Sequence, residues 1–210
     1  MKISFFKKLI GKKPQNLIKK YNFSKDIFSS RIPLFKEILK AFKDKSNIHY
    51  LEIGVFEGRS FFWMLENILT HPTSTATGID IFSSEYKKNF YENLKNSSLA
   101  KKVKIIEGFA EVELRKLNLK FYDIIYIDGG HTAPSVLMDS MLCWPLLKNG
   151  GILIFDDYLW RKDELPEERR PQIAIDAFLA IFKEYIKILH KAYLVVIQKK
   201  SYVNWENTKK

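Results

Sequence analysis

The sequence predicts an α/β protein: a mostly parallel seven-stranded sheet with helices on both faces and an antiparallel strand pair at its C-terminal edge. Three observations carry this. Between Tyr50 and Asp156, short strand-like runs alternate with helical stretches, the pattern of successive strand–helix units. Residues 124–127 (Ile-Ile-Tyr-Ile) and 152–155 (Ile-Leu-Ile-Phe) are unbroken apolar runs, as strands covered on both faces require. Near the end, strand-like segments 186–189 and 193–198 are separated only by residues 190–192, a link short enough to imply an antiparallel pair.

Taken in order, residues 1–23 form a basic arm and residues 24–46 a leading helical segment. In the latter, Ile27, Phe28, Ile32, Phe35, Ile38, Leu39 and Phe42 recur at helical spacing. Ser24 suits an N-cap, and Pro33 either kinks this helix or lies in its first turn. The main domain, 47–200, then reads as strands 50–54, 75–81, 103–107, 122–128 and 151–156, interleaved with helices 60–69, 85–94, 111–117 and 134–147. Charged residues fill 157–171, which reads as a surface loop; a helix over 173–182 precedes the strand pair, and 201–210 is a polar, frayed tail. Cys143 and Trp144, on a helix with Met138, Met141 and Leu142, read as core, and Asp123, at a strand start, as a cap on a backbone turn.

Composition narrows the function classes. In 210 residues, 46% hydrophobic and 14% aromatic content supplies a full core and excludes a disordered chain. The single cysteine, Cys143, excludes a disulfide scaffold and a Cys-rich zinc site, and fits a reducing, cytoplasmic setting. No apolar run approaches the roughly 20 residues that span a bilayer. The net charge of +11 is concentrated at the start: residues 1–45 carry 13 Lys/Arg against three acids, which leaves the rest nearly neutral. Lysines interrupt every apolar run of the arm, so it does not read as a secretory signal. Ile3, Phe6 and Ile10 fall on one helical face with lysines opposite, which suits peripheral contact with an anionic membrane; a disordered solubilising tail is the other reading. Nucleic acid ranks lower, because no aromatic-studded basic sheet or recognition helix accompanies the charge. No sequence feature speaks to oligomeric state.

The chemistry gathers at predicted strand ends. Residues 50–60, Tyr-Leu-Glu-Ile-Gly-Val-Phe-Glu-Gly-Arg-Ser, run from a strand through a Gly-x-x-x-Gly turn into a helix, the place where open α/β sheets bind nucleotides. The turn lacks the Gly-x-Gly-x-x-Gly of a dinucleotide fingerprint, so an adenosine is supported and a pyrophosphate is not. Asp80, 22 residues beyond Gly58, ends the next strand and is suited to accept hydrogen bonds from ribose hydroxyls. A second group comprises Asp128-Gly129-Gly130-His131 and Asp156-Asp157, at the ends of strands read as neighbours. Crowded carboxylates need a cation or protons, and an all-oxygen set suits magnesium, manganese or calcium.

These residues resemble the class I S-adenosylmethionine-dependent methyltransferases, a Rossmann-like three-layer sandwich, over roughly residues 48–200. Within them the chain is similar to family 24 methyltransferases and to the metal-dependent catechol-type and sugar O-methyltransferases. The resemblance implies that Glu52, Gly54, Gly58, Ser60, Asp80, Ile81, Gly108, Phe109, Ala110 and Asp128 hold S-adenosylmethionine. It also implies that Asp128, Asp156 and Asp157 hold a divalent ion, with magnesium first, and that the acceptor is a hydroxyl of a sugar or other small molecule. His131 stands where catechol-type members place a lysine base; an imidazole can take the acceptor's proton at neutral pH. Plainer readings stand beside these: Asp156 and Asp157 bonding only loop amides, or His131 serving helix entry beside Thr132 and Pro134. Adjacent strand residues point to opposite faces, so Asp156 and Asp157 share an ion only where the strand has already ended. Tyr158, Trp160 and Arg161 are suited to cover an acceptor. Two alternatives are a metal-independent methyltransferase, and a catalytically silent module of this fold docking on a membrane surface or RNA through the arm.

Overall fold

The computed structural model describes residues 20–200; the basic arm up to residue 19 and the polar tail from 201 lie outside the described residues. In the described chain the strands are β1 (His49–Ile53), β2 (Thr75–Asp80), β3 (Val103–Glu107), β4 (Tyr122–Ile127), β5 (Leu147–Phe155), β6 (Ile186–Lys191) and β7 (Val195–Lys199). The helices are α1 (Ile32–Leu39), α2 (Arg59–Asn67), α3 (Ser84–Asn96), α4 (Ala110–Glu113), α5 (Ala133–Leu146) and α6 (Pro171–Ile181). All seven strands form one sheet in the order β3-β2-β1-β4-β5-β7-β6. The pairs from β3 to β5 are parallel, and β7 runs antiparallel to both β5 and β6.

Period-two alternation divides the core into two layers. Tyr50, Ile124, Tyr126, Ile152 and Ile154 face one way and pack with Phe61, Phe62 and Met64 of α2, Phe35 and Leu39 of α1, and Phe90 of α3. Leu51, Ile53, Ile125, Ile127, Leu153 and Phe155 face the other way, against Val136, Cys143 and Trp144 of α5 and Ile175 and Phe178 of α6. Each of these side chains is at least 95% buried, which stabilises by about 1.5–3 kcal/mol per large apolar residue. Met138 and Met141 lie on the solvent face of α5, at 45% and 46% exposure, whereas Cys143 and Trp144 are core as the sequence implied.

Local departures from the sequence reading have physical causes. Ser24 caps no helix: its N–H donates to Glu57 Oε2 at 2.6 Å, and α1 starts only after a 3-10 turn at Ser29–Arg31, with Pro33 in its first turn. Strand β5 starts at Leu147 rather than 151, because Leu147 pairs with Tyr122 ahead of the glycines. The turn between β6 and β7 is closed by the Ala192 N–H on the Leu194 carbonyl at 2.9 Å, which moves Tyr193 out of the strand. Among the described residues no helix is long and apolar enough to cross a membrane.

The topology fixes where a ligand can go. From β1 the chain winds outward through β2 to β3, then returns to place β4 on the other side of β1, so the order reverses between β1 and β4. At such a point the loops leaving the two strands part and open a crevice at their carboxyl ends.

Candidate active site

Each strand exit is tied to its neighbour by one backbone hydrogen bond. Gly108 N–H donates to the Asp80 carbonyl at 3.0 Å, Gly54 to Ile79 at 3.0 Å, Asp128 to Ile53 at 2.9 Å and Asp156 to Ile127 at 3.0 Å. Five loops that are far apart in sequence therefore leave from one ledge, with Gly108, Asp80, Gly54, Asp128 and Asp156 along it. Beyond the ledge the chain turns sharply: Phe56, Phe82 and Asp157, none of them glycine, adopt φ of 53°, 43° and 60°. Left-handed backbone of this kind persists where surrounding structure enforces it, commonly at functional sites.

On the β1–β3 side, a Cβ on Gly54 (φ 80°) would lie 2.0 Å from the Asp128 carbonyl oxygen, so only glycine lets these exits cross. Gly58 (φ 86°) opens α2, and a Cβ there would strike the Phe62 ring at 2.5 Å. Glu52 is fully buried beneath the turn; its Oε2 accepts the Tyr50 hydroxyl at 2.6 Å and its Oε1 the Ser60 hydroxyl. Burial pushes the Glu52 carboxyl up to about 8, against the two hydroxyl donors and with the charges of Asp80 and Asp156 adding to the rise.

Asp80 accepts one backbone N–H on each oxygen, from Phe56 at 2.8 Å and Phe82 at 2.7 Å. A carboxylate has about four acceptor positions, so roughly two remain for a diol. Ile81, next to Asp80 in the chain, and Phe109, next to the Gly108 that bonds the Asp80 carbonyl, are each 63% exposed, while Ala110 begins α4 and is half-buried. A carboxylate with free lone pairs at a strand exit that also carries exposed apolar residues suits the sugar and base of an adenosine.

The leading segment walls this region from the other side. Lys25, Ile27 and Phe28 join Gly54, Phe56, Ser60, Tyr126 and Asp128 around a narrow cleft. Glu57 holds the segment there, its Oε2 on Ser24 N–H and its Oε1 on Asn89 at 2.7 Å, while Arg59 pairs with Asp26 at 2.6 Å.

A second, smaller cleft adjoins the first and shares Asp128 with it, with Gly129, Gly130, His131, Asp156 and Asp157 around its rim. Burial holds the Asp128 carboxyl well above its ordinary range, reinforced by the charges of Asp156, Asp157 and Glu52. Strand β5 has ended before Asp156, and the left-handed φ of Asp157 sends the two adjacent carboxylates to different partners. Asp156 is gripped by Arg31, whose Nε and Nη2 donate to its two oxygens at 2.8 and 2.9 Å; the Tyr126 hydroxyl and the Asp157 N–H donate as well. Asp157 Oδ2 lies 3.0 Å from His131 Nδ1, and its Oδ1 accepts the Tyr193 hydroxyl at 2.9 Å. That contact with Asp157 raises the His131 pKa, against the opposing effect of burial. The imidazole stands 4.9 Å from the Trp160 ring and keeps 41% of its side chain exposed. Thr132, not His131, caps α5, through a reciprocal pair with Ser135.

The acidic cluster does not fit a divalent ion as arranged. Asp156 has both oxygens on a guanidinium, Asp157 has both on His131 and Tyr193, and no group of three His, Cys, Asp or Glu among the described residues could hold a metal.

Sequence reasoning placed Asp128, Asp156, Asp157 and His131 together and missed Arg31, Tyr126 and Tyr193. Tyr126 was legible only as apolar strand, and Arg31 as one cation in a basic segment. Tyr158, read as an acceptor cover, is buried and donates its hydroxyl to Asp176 at 3.0 Å; Trp160 alone of the aromatic pair flanks the imidazole. Asp123 sits at the opposite edge of the sheet, where its Oδ2 accepts His49 N–H at 2.8 Å.

A family model described as a methyltransferase domain matches residues 51–158, from β1 through the acidic ledge. The chain belongs to that methyltransferase family. Among curated proteins, the methyltransferase is 28% identical over 142 residues to the tapetum-specific methyltransferase 1 of Arabidopsis thaliana, which covers 66% of this chain and 59% of that one. It spans 53% and 59% of the length of the two curated relatives it matches. Among solved structures, the O-methyltransferase TomG of Streptomyces achromogenes, in complex with SAM, superposes with a TM-score of 0.70 at 14% identity, over 94% of this chain and 95% of that one. The MycE methyltransferase of the mycinamycin biosynthetic pathway, in complex with Mg and SAH, gives 0.60 at 18% identity, over 86% of this chain and 54% of that one. The seven-stranded Rossmann-like methyltransferase fold is thus shared at low identity.

Proposed function

We propose that this methyltransferase transfers the methyl group of S-adenosylmethionine to a hydroxyl oxygen of a small molecule, sugars included. The observation that carries the reading is the pair of adjoining clefts that share Asp128: one lined by the Gly54–Ser60 turn, whose Phe56 N–H is held by Asp80, the other beside the His131–Asp157 pair. Bound in the first cleft, the cofactor would supply an already activated methyl on a sulfonium. Asp80 would hold the ribose, Ile81 and Phe109 would border the adenine, and Gly54 would let the backbone approach the amino-acid end. Glu52 and Ser60 act from beneath, fixing the turn that does so.

In the second cleft the chain's task is to align an acceptor and take its proton. Asp157 holds His131 by Nδ1, which leaves Nε2 to accept the hydroxyl proton, and Tyr193 fixes the carboxylate that orients the ring. Trp160 borders the same imidazole, covering an acceptor bound there. The divalent-ion assistance implied by the sequence pattern enters no step, because the carboxylates that would bind the ion are engaged by side chains.

The test is transfer of a radiolabelled methyl from S-adenosylmethionine to a panel of diols, phenols and sugars, with His131→Ala in parallel. Label in an acceptor with wild type, and loss of about 10²-fold or more with the variant, is the expected result. Transfer that proceeds equally well without His131 overturns the assigned base.

A further inference from the structure

Arg31 reaches the acidic cluster from outside the sheet. It closes the 3-10 turn at Ser29–Arg31 and contacts a residue 125 positions away, where the leading segment folds back over the strand exits. All three of its nitrogens donate: Nε and Nη2 to Asp156, and Nη1 to the Ile27 carbonyl at 2.8 Å and the Ser30 hydroxyl at 3.3 Å, with the Tyr193 ring 5.3 Å from the guanidinium carbon. The pair is enclosed, with 17% of the Arg31 side chain and 3% of Asp156 exposed. Such bidentate pairing is geometry-specific, and breaking it would strand a buried charge.

Three carboxylates at one ledge call for a positive partner, and in this chain one is already in place. We propose that Arg31 is the resident cation of the site: its guanidinium occupies the position for which the acidic pattern suggests a divalent ion. It neutralises Asp156 and leaves Asp128 alone to face both clefts. This rests on the methyltransferase reading for the site's purpose, though not for its geometry. Burial works against the charge on Arg31, yet the contact with Asp156, with Tyr126 and Asp128 adding, holds its pKa above the ordinary value. A consequence is that the contact neutralising the cluster also pins Ile27 and Phe28 as a wall of the first cleft. A metal could enter only by displacing both.

The experiment is a Mn²⁺ titration followed by electron paramagnetic resonance, on the full chain saturated with S-adenosylhomocysteine, for wild type, Arg31→Ala and Arg31→Gln. Wild type is expected to show no saturable site, and the neutral variants to gain Mn²⁺ affinity by at least about tenfold. Asp156→Asn placed on either variant should remove that gain. Arg31→Gln keeps the side chain's bulk and serves where Arg31→Ala does not fold. Saturable Mn²⁺ binding by wild type that Asp156→Asn abolishes would overturn the proposal, as would folded neutral variants that gain no affinity. Calorimetry with S-adenosylhomocysteine on the same samples separates the two claims: absent cofactor binding counts against the methyltransferase reading, while the Mn²⁺ comparison still decides the role of Arg31.

Discussion

Gly54 and Asp128 meet backbone to backbone: a Cβ on the glycine would lie 2.0 Å from the aspartate's carbonyl oxygen. The exits of β1 and β4 cross at that point, and the crossing sets the floor shared by both clefts. Gly54→Ala must therefore shift the Asp128 loop as well as strain a φ of 80°. We expect about 3 kcal/mol of destabilisation in urea unfolding and loss of S-adenosylhomocysteine binding. Gly150→Ala is the control, since Gly150 has nearly the same φ, 79°, with nothing within 4 Å of the added Cβ; about 1 kcal/mol and unchanged binding are expected there.

Burial raises the Glu52 carboxyl from its ordinary 4.5 to about 8. The folded state thus keeps a proton that the unfolded chain releases. The associated stability is present in full below pH 4.5 and is lost as pH rises through about 8, at up to about 1.4 kcal/mol per pH unit. Glu52→Gln mimics the protonated form, so its stability difference from wild type should swing in the variant's favour between pH 5 and pH 8. Urea midpoints across that window check it; parallel curves for the two proteins would contradict the assignment.

The contact with Asp157 raises the His131 pKa, and a base works only when neutral. The acid limb of the transfer rate should therefore lie above the ordinary imidazole value of about 6.5. Asp157→Asn should move the limb downward and lower the plateau, and His131→Ala should remove it while cofactor affinity stays within about twofold. A pH–rate profile over the three proteins reads all of this.

Phe109 is 63% exposed and follows Gly108, whose N–H donates to the Asp80 carbonyl. Phe109→Ala should leave thermal stability within about 0.5 kcal/mol of wild type. It should weaken S-adenosylhomocysteine binding roughly tenfold, about 1.4 kcal/mol, through lost apolar contact. Unchanged affinity would remove Phe109 from the adenine border.

Much of this architecture is legible from local sequence. Isoleucine runs at 124–127 and 152–155 mark buried parallel strands because both faces are covered, and a carboxylate or glycine just past each run marks the ledge. The antiparallel pair follows from the short link between its strands. What is not legible depends on distant contacts. Arg31 becomes part of the site only because Pro33 delays α1 and the chain before it folds back onto Asp156. Ser24, a good N-cap by type, spends its N–H on Glu57 instead. The separation of Asp156 from Asp157 depends on one left-handed φ, which no residue type at that position announces.

The most direct measurement is calorimetric titration of the full chain with S-adenosylhomocysteine, wild type beside Asp80→Ala. Saturable one-to-one binding by wild type, weakened at least about tenfold by the variant, is the predicted result. No binding by wild type, or equal binding by both proteins, would contradict the placement of the cofactor at the β1–β4 crevice.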